Sequence, residues 1–504
     1  MSRMPLSLSQ LMAGFAGIPT RWASLPVSGL AFDSRNVQPG EVFFAVRGGQ
    51  RHGLEFLATV KAAGARAVIW EPPWHGSLPV DETLPLLAAP DLGQNLGRIA
   101  SRFYGEPSRS LPVVGITGTD GKTSCAHFIA QALSDAKSGP CGILGTLGVG
   151  VHGQTRPSLH TTPDPLAVQR WLAELVATGR HHAVMEVSSH ALDQHRVNGI
   201  RFATAVLTQL SRDHLDYHET VDAYAAAKRR LFVDHQPDWA VLNLDDAFGQ
   251  RLATEAQVRR GIVVYGLGQR PRSLPRFVWG ALRALTGSGL RLHIESSWGQ
   301  GELSAGLLGR FNASNLLATL ATLLTLGLPF AEALARLART ATVPGRMERL
   351  GGGSGQPLAV IDYAHTPHAL EQVLSALREH GQTGRLWCVF GCGGDRDPGK
   401  RPLMGAIAEQ QADRVVVTDD NPRTEDPDRI VSDILTGMQH PGRVMVIRDR
   451  RTAITYALTE AEPGDIVLVA GKGHENDQIV GTERFPFSDG AVVHDFLFSN
   501  SETA

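Results

Sequence analysis

Leu111-Pro-Val-Val-Gly-Ile-Thr-Gly-Thr-Asp-Gly-Lys-Thr-Ser124 begins as an apolar run and continues into a glycine loop. The apolar residues predict a buried strand, and the segment from Thr123 to about Ala136 has helical composition. Glycines let backbone N–H groups close around phosphate oxygens, and a helix N-terminus adds positive potential. This unit therefore predicts a nucleotide loop in which Lys122 reaches the terminal phosphates and Thr123 holds Mg²⁺.

The loop departs from the strict P-loop pattern at one position, because Ile116 stands where that pattern has glycine. A plain glycine turn before a helix is the alternative interpretation. Under the nucleotide interpretation, the loop residues that bind ATP are Gly118, Thr119, Asp120, Gly121, Lys122, Thr123 and Ser124.

Apolar runs elsewhere predict more buried strands. Short strands and turns between about residues 25 and 100 indicate a small α/β unit. In the middle of the chain the runs are His182–Val187, Thr204–Thr208 and Trp239–Leu244. Near the C-terminus five runs alternate with helix-length segments, which is typical of a doubly wound sheet. These five are Leu358–Asp362, Leu386–Gly391, Arg414–Thr418, Arg443–Ile447 and Asp465–Ala470.

The patterns together predict an α/β protein of three domains. We expect a small α/β domain over residues 1–105, a central nucleotide-binding domain with a mainly parallel sheet over 106–345, and a doubly wound domain over 346–504. The length of 504 residues agrees, since one domain usually holds about 100–200 residues. The glycine-rich piece at 351–357 has the composition of a linker near the second boundary.

The composition favours small-molecule partners in the cytoplasm. Lys and Arg number 48 and Asp and Glu 50, so no net basic field attracts nucleic acid or an anionic membrane. The most apolar stretch, Leu316–Leu328, is shorter than the ~20 residues of a membrane span, and we interpret it as a buried helix. The N-terminus has no signal-peptide pattern. Four cysteines are too few for a disulfide framework.

The loop spacing resembles the nucleotide loop of the Mur ligase family, and the resemblance extends over nearly the whole chain. Each further motif is weak alone, but their order and number make the match specific. These motifs are Met185-Glu-Val-Ser-Ser-His190, Arg212-Asp-His-Leu-Asp-Tyr-His218, Gly309-Arg-Phe-Asn-Ala-Ser-Asn315, Pro344-Gly-Arg-Met-Glu348, Asp362-Tyr-Ala-His-Thr-Pro367 and Gly471-Lys-Gly-His-Glu475. The resemblance implies a substrate-binding N-terminal domain, a central P-loop-type ATPase domain and a Rossmann-like C-terminal domain.

The resemblance also implies an ATP-dependent ligase with Mg²⁺. In the family a substrate carboxylate takes the γ-phosphoryl group of ATP, and an amine then displaces phosphate from the acyl phosphate. Such chemistry depends on positioning and cations. The implied catalytic residues are Lys122, Glu186, His214 and Lys228, and Asn312, Arg346 and Asp362 are further implied ATP contacts.

Several of these residues have structural alternatives. Glu186 ends one apolar strand and His214 follows another, so both can meet phosphates and Mg²⁺ at one sheet edge, but a capping glutamate and a loop histidine would look the same. Asn312 and Asn315 open a helix, where asparagine is also a good cap.

For a UDP-linked substrate the resemblance indicates hydroxyl, amide and guanidinium groups, which suit diphosphate and carboxylate oxygens. The implied residues are Phe32, Ser34, Gly49, Gln50, Arg51, Thr161, Thr162, Ser188, Gln194 and Arg196. His160 stands where some relatives carry Asn. Ser34 and Thr161 could instead be ordinary turn residues.

Asp420-Asn-Pro-Arg423 resembles the signature of family members that add diaminopimelate rather than lysine. Diaminopimelate has a distal carboxylate that lysine lacks, and the guanidinium groups of Arg423 and Arg396 can hold it bidentately. The implied diaminopimelate-binding residues are Arg396, Asp420, Asn421, Pro422, Arg423, Gly471 and Glu475. An Asn-Pro turn with a solvated arginine is the alternative.

The implied reaction joins meso-2,6-diaminopimelate to the D-glutamate carboxylate of UDP-MurNAc-L-Ala-D-Glu, a step of peptidoglycan precursor synthesis. The family carries a carbamylated lysine at the position of Lys228. A carbamate forms from the neutral amine, and its oxygens suit Mg²⁺. The implied metal ligands are therefore Thr123, Glu186, His214 and the carbamate of Lys228. A solvated helix lysine beside Arg229 and Arg230 is the alternative.

Two other functions stay open at this point. Folylpolyglutamate synthases share the ATP-site layout, although Asp420-Asn-Pro-Arg423 and the N-terminal substrate motifs argue against that activity. A nucleotide-dependent binding or scaffold protein could also keep the same fold. Phosphate release that requires both the UDP-dipeptide and the amino acid would distinguish a ligase from a binding protein.

Overall fold

The computed structural model describes residues 6–49, 51–78, 83–135, 139–268, 270, 276–286, 289–353, 355–380 and 384–498. The chain forms two compact units. The first holds Met1–Tyr265, Ser273–Phe277 and Ala321–Leu328, and the second holds Gly266–Arg272, Val278–Leu320 and Pro329–Ala504. The three domain boundaries given above are a finer division and stay a prediction.

The first unit begins with a small sheet of parallel strands in the order β1-β2-β3-β4, with an apolar core against its helices. The strands are β1 (Gly29–Ala31), β2 (Glu41–Ala45), β3 (Ala67–Trp70) and β4 (Leu86–Ala88). The helices are α1 (Leu8–Met12), α2 (Thr20–Ala23), α3 (Leu57–Ala62) and α4 (Leu92–Phe103). This sheet confirms the small α/β unit predicted from the short apolar runs.

A larger sheet follows in the first unit. Its strands are β5 (Val113–Thr117), β6 (Gly142–Gly145), β7 (Gly148–Val151), β8 (Gln154–Arg156), β9 (Ala183–Glu186), β10 (Phe202–Leu207), β11 (Trp239–Asn243) and β12 (Gly261–Leu267). They lie in the order β12-β11-β10-β5-β9-β6-β7-β8. The strands from β12 to β6 are parallel, whereas β6, β7 and β8 pair antiparallel. The prediction of a mainly parallel sheet is confirmed.

Side-chain caps define the start of several helices beside this sheet. They are α5 (Lys122–Leu133), α6 (Pro165–Ala177), α7 (Ser189–Asp193), α8 (Leu215–His218), α9 (Val221–Val233) and α10 (Ala247–Glu255). Asp164 accepts from the N–H groups of Leu166 and Ala167, both at 3.0 Å, and Pro165 occupies the first turn of α6. Thr220 caps α9 in the same way through Ala223 N–H at 3.1 Å.

The second unit contains an antiparallel set of strands, a six-stranded sheet and a hairpin. The antiparallel strands are β13 (Phe277–Thr286), β14 (Gly289–Ser296) and β15 (Gly299–Ala305). The sheet strands are β16 (Glu348–Gly351), β17 (Leu358–Asp362), β18 (Leu386–Phe390), β19 (Arg414–Val417), β20 (Met445–Val446) and β21 (Ile466–Ala470), in the order β16-β17-β21-β18-β19-β20. The hairpin is β22 (Asp477–Val480) with β23 (Glu483–Pro486).

Helices cover both faces of the six-stranded sheet. The remaining helices are α11 (Arg310–Thr325), α12 (Phe330–Leu337), α13 (Pro367–Glu379), α14 (Lys400–Gln411), α15 (Pro427–Leu435), α16 (Arg450–Glu460) and α17 (Asp489–Phe498). All belong to the second unit except the end of α11, which leaves it after Leu320. Val360 belongs to the core on the α13, α14 and α15 side, whereas its neighbour Ile361 packs with α16 and α17. This alternation on a mostly parallel sheet confirms the doubly wound prediction.

Two local predictions need correction. The glycine-rich piece at 351–357, expected to be a linker, connects β16 to β17, which pair antiparallel as a hairpin. The run Arg443–Ile447, expected to be a full strand, forms only β20, because Pro441–Arg443 turns as a 3-10 helix before it. The sheet edge is therefore shorter than the apolar run suggested.

Other predictions about buried elements are confirmed. Leu316 and Leu317 are completely buried in α11, as expected for the most apolar stretch. Among the described residues no helix is long and apolar enough to cross a membrane. Cys125, Cys141, Cys388 and Cys392 are all free and buried, and burial raises the pKa of each thiol.

Candidate nucleotide and substrate sites

The predicted nucleotide loop connects β5 to α5 in the first unit. Gly118 and Gly121 have φ values of +147° and +84°, which suit glycine. A Cβ atom on Gly118 would collide with Thr208 Oγ1. The segment after β10 fixes the loop, since Thr119 N–H donates to the Gln209 carbonyl at 2.7 Å. The loop thus meets the start of α5, whose backbone N–H groups can face an anion.

Two lysines contact the same backbone carbonyl in this loop. Lys122 Nζ donates to the Gly118 and Thr119 oxygens at 3.0 and 2.8 Å. Lys228, from α9, donates to the Gly118 oxygen at 2.7 Å and lies 4.4 Å from the Tyr224 ring. The Lys228 side chain is buried, so the alternative of a solvated helix lysine is wrong. Burial, and then the charge of Lys122, hold the pKa of Lys228 well below its ordinary value.

A buried carboxylate lies across the loop at the end of β9. Thr123 Oγ1 donates to Glu186 Oε2 at 3.0 Å, and Thr146 donates to Glu186 from its N–H at 2.9 Å and from its Oγ1 at 3.2 Å. Glu186 is only 1% exposed. Hydroxyl and carboxylate oxygens are the ligands that a hard cation prefers, so these residues fit Mg²⁺.

His214 stands apart from the Thr123–Glu186 contact. It precedes α8 with a φ of +51°, and its ring lies 5.0 Å from His190 and 6.1 Å from Tyr224, measured between centroids. Lys228 Nζ also lies over the Tyr224 ring, so His214 and Lys228 share this aromatic neighbour. Within the described residues no group of three or more His, Cys, Asp and Glu side chains could hold a metal.

Five predicted substrate residues form one network beside Glu186. Thr162 Oγ1 donates to the Glu186 carbonyl at 2.9 Å and accepts from Ser188 N–H at 3.1 Å. Arg196 donates from Nη1 to the Thr162 carbonyl at 2.8 Å and from Nη2 to Gln194 Oε1 at 2.6 Å.

Thr161 joins the same network from its other side. Its Oγ1 lies 3.3 Å from Thr146 Oγ1, which itself contacts Glu186. The substrate residues are therefore hydrogen-bonded to the main-chain carbonyl of Glu186 and, by way of Thr146, to its carboxylate. His160 is exposed, and its backbone contacts Ser158 alone among the described residues: the carbonyl accepts from Ser158 Oγ at 2.8 Å and the N–H donates to it at 3.4 Å.

The remaining predicted UDP contacts lie in the small sheet. Gly49 and Arg51 line a cavity of about 430 Å³ whose other walls include Arg47, His52 and Trp74. Phe32 is exposed by 37%, and Ser34 is half-buried in a 3-10 turn that Asp33 caps. Gln50 lies outside the described residues.

The predicted ATP contacts of the second unit are held by backbone groups. Asp362 accepts from Met347 N–H and Ala364 N–H at 2.8 and 2.9 Å. Arg346 lies 4.9 Å from the Tyr363 ring centroid, and its buried Nε finds no acceptor in the described part of the chain. Asn312 donates to the Leu308 carbonyl at 2.8 Å. The Nε–H of Arg346 is therefore a buried donor that an anionic ligand could satisfy.

A buried lysine organises the predicted diaminopimelate residues. Lys472 Nζ donates to Asn421 Oδ1 at 3.0 Å and to Glu475 Oε2 at 2.9 Å, while Asn421 Nδ2 also donates to Glu475 Oε2 at 2.9 Å. Gly471 packs on Asp420, since a Cβ atom on Gly471 would lie 2.6 Å from Asp420 Oδ2. Burial raises the pKa of the Asp420 carboxyl, although Arg450 and Lys472 oppose this effect.

The two predicted carboxylate-binding arginines reach one glycine loop. Arg423 has a φ of +51° and donates from Nη1 to the Gly394 carbonyl at 2.8 Å. A Cβ atom on Gly393 would lie 2.9 Å from Arg423 Nη1 and 3.6 Å from Arg396 Cγ. Arg396 is exposed and Arg423 half-buried. Pro422 is buried beside them. The pair can therefore converge on one anionic group.

The sequence interpretation missed Thr146, Lys472 and Tyr217. Thr146 follows β6 at the carboxyl edge of the sheet, where its polar side chain was a usable signal. Lys472 lies inside the quoted motif Gly471-Lys-Gly-His-Glu475, and Tyr217 lies inside Arg212–His218. Their partners in space gave no signal in a single sequence.

Comparisons with known proteins agree with this arrangement. Family models match three consecutive parts of the chain: the Mur ligase family catalytic domain at 26–104, the Mur ligase middle domain at 116–323 and the Mur ligase glutamate ligase domain at 345–473. A protein of Alkalilimnicola ehrlichii named UDP-N-acetylmuramoyl-L-alanyl-D-glutamate–2,6-diaminopimelate ligase is 52% identical over 476 residues, covering 93% of this chain and 94% of that protein.

Solved structures extend the comparison. A structure of a ligase of the same name has a TM-score of 0.73 at 36% identity, over 99% of this chain and 100% of that one. The folylpolyglutamate synthase of Mycobacterium tuberculosis, solved with ADP and AMPPCP, has a TM-score of 0.60 at 21% identity, over 75% of this chain and 92% of that one, and shares the fold alone. With three consecutive family matches and 52% identity over nearly its full length, the chain belongs to the Mur ligase family.

Proposed function

We propose that the chain is an ATP-dependent ligase that adds meso-2,6-diaminopimelate to the D-glutamate carboxylate of UDP-MurNAc-L-Ala-D-Glu. One observation carries the ATP part of the proposal: Lys122 and Lys228 both contact the Gly118 carbonyl of a glycine loop that opens a helix. The amino-acid part rests on the Lys472 cluster and on the named relatives above.

The nucleotide loop would bind the phosphates of ATP. The N–H groups at the start of α5 and the Lys122 ammonium would place positive charge against the γ-phosphoryl oxygens, which is what phosphoryl transfer requires. Mg²⁺ would be held by Thr123, Glu186, His214 and a carbamate on Lys228, and would neutralise phosphate charge. Asn312, Arg346 and Asp362 would complete the nucleotide contacts.

The substrate network would orient the reacting carboxylate. Arg196 and the hydroxyls of Thr161, Thr162 and Ser188 suit carboxylate and diphosphate oxygens. Since Thr162 also contacts the Glu186 backbone at 2.9 Å, the network would hold the substrate carboxylate near the nucleotide loop. Proximity of this kind removes much of the entropy cost of joining two reactants. Phe32, Ser34, Gly49, Gln50 and Arg51 would hold the UDP end.

The second unit would supply the amine. Glu475 and Asp420 suit the distal ammonium of diaminopimelate, and Arg423 and Arg396 suit its distal carboxylate. Lysine lacks that carboxylate, so it would leave both guanidinium groups unpaired. The attacking amine would form the amide as phosphate leaves the acyl carbon.

The reaction would take place in the cytoplasm, within a chain of three domains at 1–105, 106–345 and 346–504. Four free, buried thiols are usual for a reducing compartment.

The test is a ligation assay with ATP, the UDP-dipeptide and a panel of amino acids, with products identified by mass spectrometry. We expect phosphate release only when the UDP-dipeptide and meso-diaminopimelate are both present, because the amine displaces phosphate from the acyl phosphate. Lys122→Ala should lower turnover by about 1,000-fold with an unchanged unfolding transition, because it removes charge from the transferring group. Phosphate release at the same rate without the amino acid, or near-normal turnover in the folded variant, would contradict the proposal.

A further inference from the structure

We propose that Tyr217 is a positioning residue that fixes Gln194 and, through it, the guanidinium of Arg196 for the UDP-linked substrate. The inference rests on the proposed function, since it deepens the role of that substrate network. Tyr217 belongs to α8 in the first unit and was no part of the predicted site.

The hydroxyl of Tyr217 lies between two side chains of the turn after α7. It donates to Asp193 Oδ2 at 2.8 Å and accepts from Gln194 Nε2 at 3.0 Å. The Tyr217 hydroxyl is therefore used as donor and as acceptor. Burial raises the pKa of Tyr217, so the phenol keeps its proton at neutral pH.

The amide of Gln194 is thereby held in one orientation. Its Oε1 accepts from Arg196 Nη2 and Nε at 2.6 and 3.1 Å. A reversed amide would direct its NH₂ group at the guanidinium, which has no acceptor. Tyr217 supplies the acceptor that the NH₂ group needs in the favourable orientation. Loss of the hydroxyl frees the amide to turn and leaves Arg196 held only by its bond to the Thr162 carbonyl.

The ring of Tyr217 makes a second connection. Its centroid lies 4.2 Å from His190, and His190 lies 5.0 Å from His214. Tyr217 therefore connects the loop of the predicted metal ligand His214 to the residues predicted to hold the substrate. Because Tyr217 is 38% exposed, we expect the fold to tolerate the loss of its hydroxyl.

The experiment compares Tyr217→Phe with Tyr104→Phe, a matched control in which a tyrosine hydroxyl also contacts an arginine, Arg170 Nε at 3.2 Å. We expect Tyr217→Phe to raise KM and Kd for the UDP-dipeptide about tenfold, as for one lost hydrogen bond, and to leave KM for ATP unchanged. The control should change neither. Tyr217→Leu, which also removes the ring, should further lower kcat.

A double-variant cycle with Gln194→Leu tests the route. If Tyr217 acts through Gln194, adding Tyr217→Phe to Gln194→Leu should cause no further rise in KM. Additive effects, an unchanged Kd in Tyr217→Phe, or an equal rise in KM for every substrate would overturn the proposal. Calorimetry measures binding of the UDP-dipeptide without turnover. It therefore tests the role of Tyr217 in substrate binding even if the wild-type chain forms no product. If the wild type does not bind the UDP-dipeptide, both proposals fail.

Discussion

Lys228 donates to the carbonyl oxygen of Gly118 over 2.7 Å, and its side chain is only 1% exposed. Lys122 contacts the same oxygen at 3.0 Å. Two cations at one carbonyl repel each other, and burial adds a desolvation cost to the charged amine. Lys228 is therefore the lysine whose neutral form the fold favours, and the neutral amine is the form that reacts with CO₂.

The first prediction is that Lys228 acts as an anionic carbamate. Lys228→Ala should lower turnover at least about 100-fold, and a short carboxylic acid that occupies the vacated space should restore part of it. Lys228→Arg keeps a positive charge but forms no carbamate, so it should be as inactive as the alanine variant. Carbon-13 NMR after incubation with labelled bicarbonate should detect a carbamate signal in the wild type alone. An active arginine variant would show that the anion is dispensable.

The second prediction concerns the choice of amino acid. Arg423→Met should lower kcat/KM for meso-diaminopimelate about 100-fold, because the distal carboxylate loses a bidentate partner. The low activity with lysine should not fall. Arg443→Met, at an exposed arginine of the same unit, is the control and should behave as the wild type. Equal use of lysine and diaminopimelate by the wild type would show that Arg423 does not select the substrate.

The third prediction concerns Lys472, which is completely buried against Asn421 and Glu475. Lys472→Met should lower the free energy of unfolding by about 3–5 kcal/mol, because it leaves a carboxylate without its cation. Glu475→Gln in the same chain should recover part of that loss. The KM for diaminopimelate should be higher than that of the wild type in both the single and the double variant, whereas the KM for ATP should be normal. Urea unfolding and steady-state kinetics measure these effects, and a normal KM for diaminopimelate would exclude a role of the cluster in binding.

The fourth prediction is a dependence of stability on pH that comes from His235. Burial lowers the pKa of His235 from 6.5 to about 4. The unfolded chain therefore binds a proton between about pH 6.5 and pH 4 that the folded chain does not, so stability falls as the pH falls through this window. His235→Gln should remove about 2 kcal/mol of this pH dependence. Urea unfolding at pH 7 and pH 4.5 measures it.

His474, whose pKa is likewise lowered to about 4, should keep the rest of the pH dependence in that variant. An identical pH dependence in His235→Gln and the wild type would show that His235 titrates normally in the folded chain.

Apolar runs predicted most strands well, because a buried strand needs only its own residues to be recognised. Leu358–Asp362 is a strand over its full predicted length. The prediction of a full strand at Arg443–Ile447 was wrong because β20 lies at the sheet edge. Met445 is 42% exposed there and gains little from pairing. The prediction of a linker at 351–357 was wrong because a linker and a hairpin turn have the same composition.

Site residues followed a similar rule. Lys122 could be predicted because its partners, Gly118 and Thr119, lie within one loop. Thr123 could be predicted from the loop motif alone, although its partner Glu186 lies 63 positions away in the chain. The only signal for Thr146 was its place after a strand, and its contact with Glu186, 40 positions away in the chain, could not be predicted. Lys472 contacts Asn421 across 51 positions, and only the folded sheet brings these two side chains together.

The burial of all four cysteines has a practical consequence. Thiolate is the form that reacts with maleimides, and the pKa of Cys388 and Cys392 is raised to about 12. The four native thiols should therefore react little with maleimide labels. A single exposed cysteine introduced into each compact unit, for example at Arg66→Cys and Arg443→Cys, would take a donor and an acceptor dye. Energy transfer between them would then follow the distance between the two units as ATP and the amino acid are added.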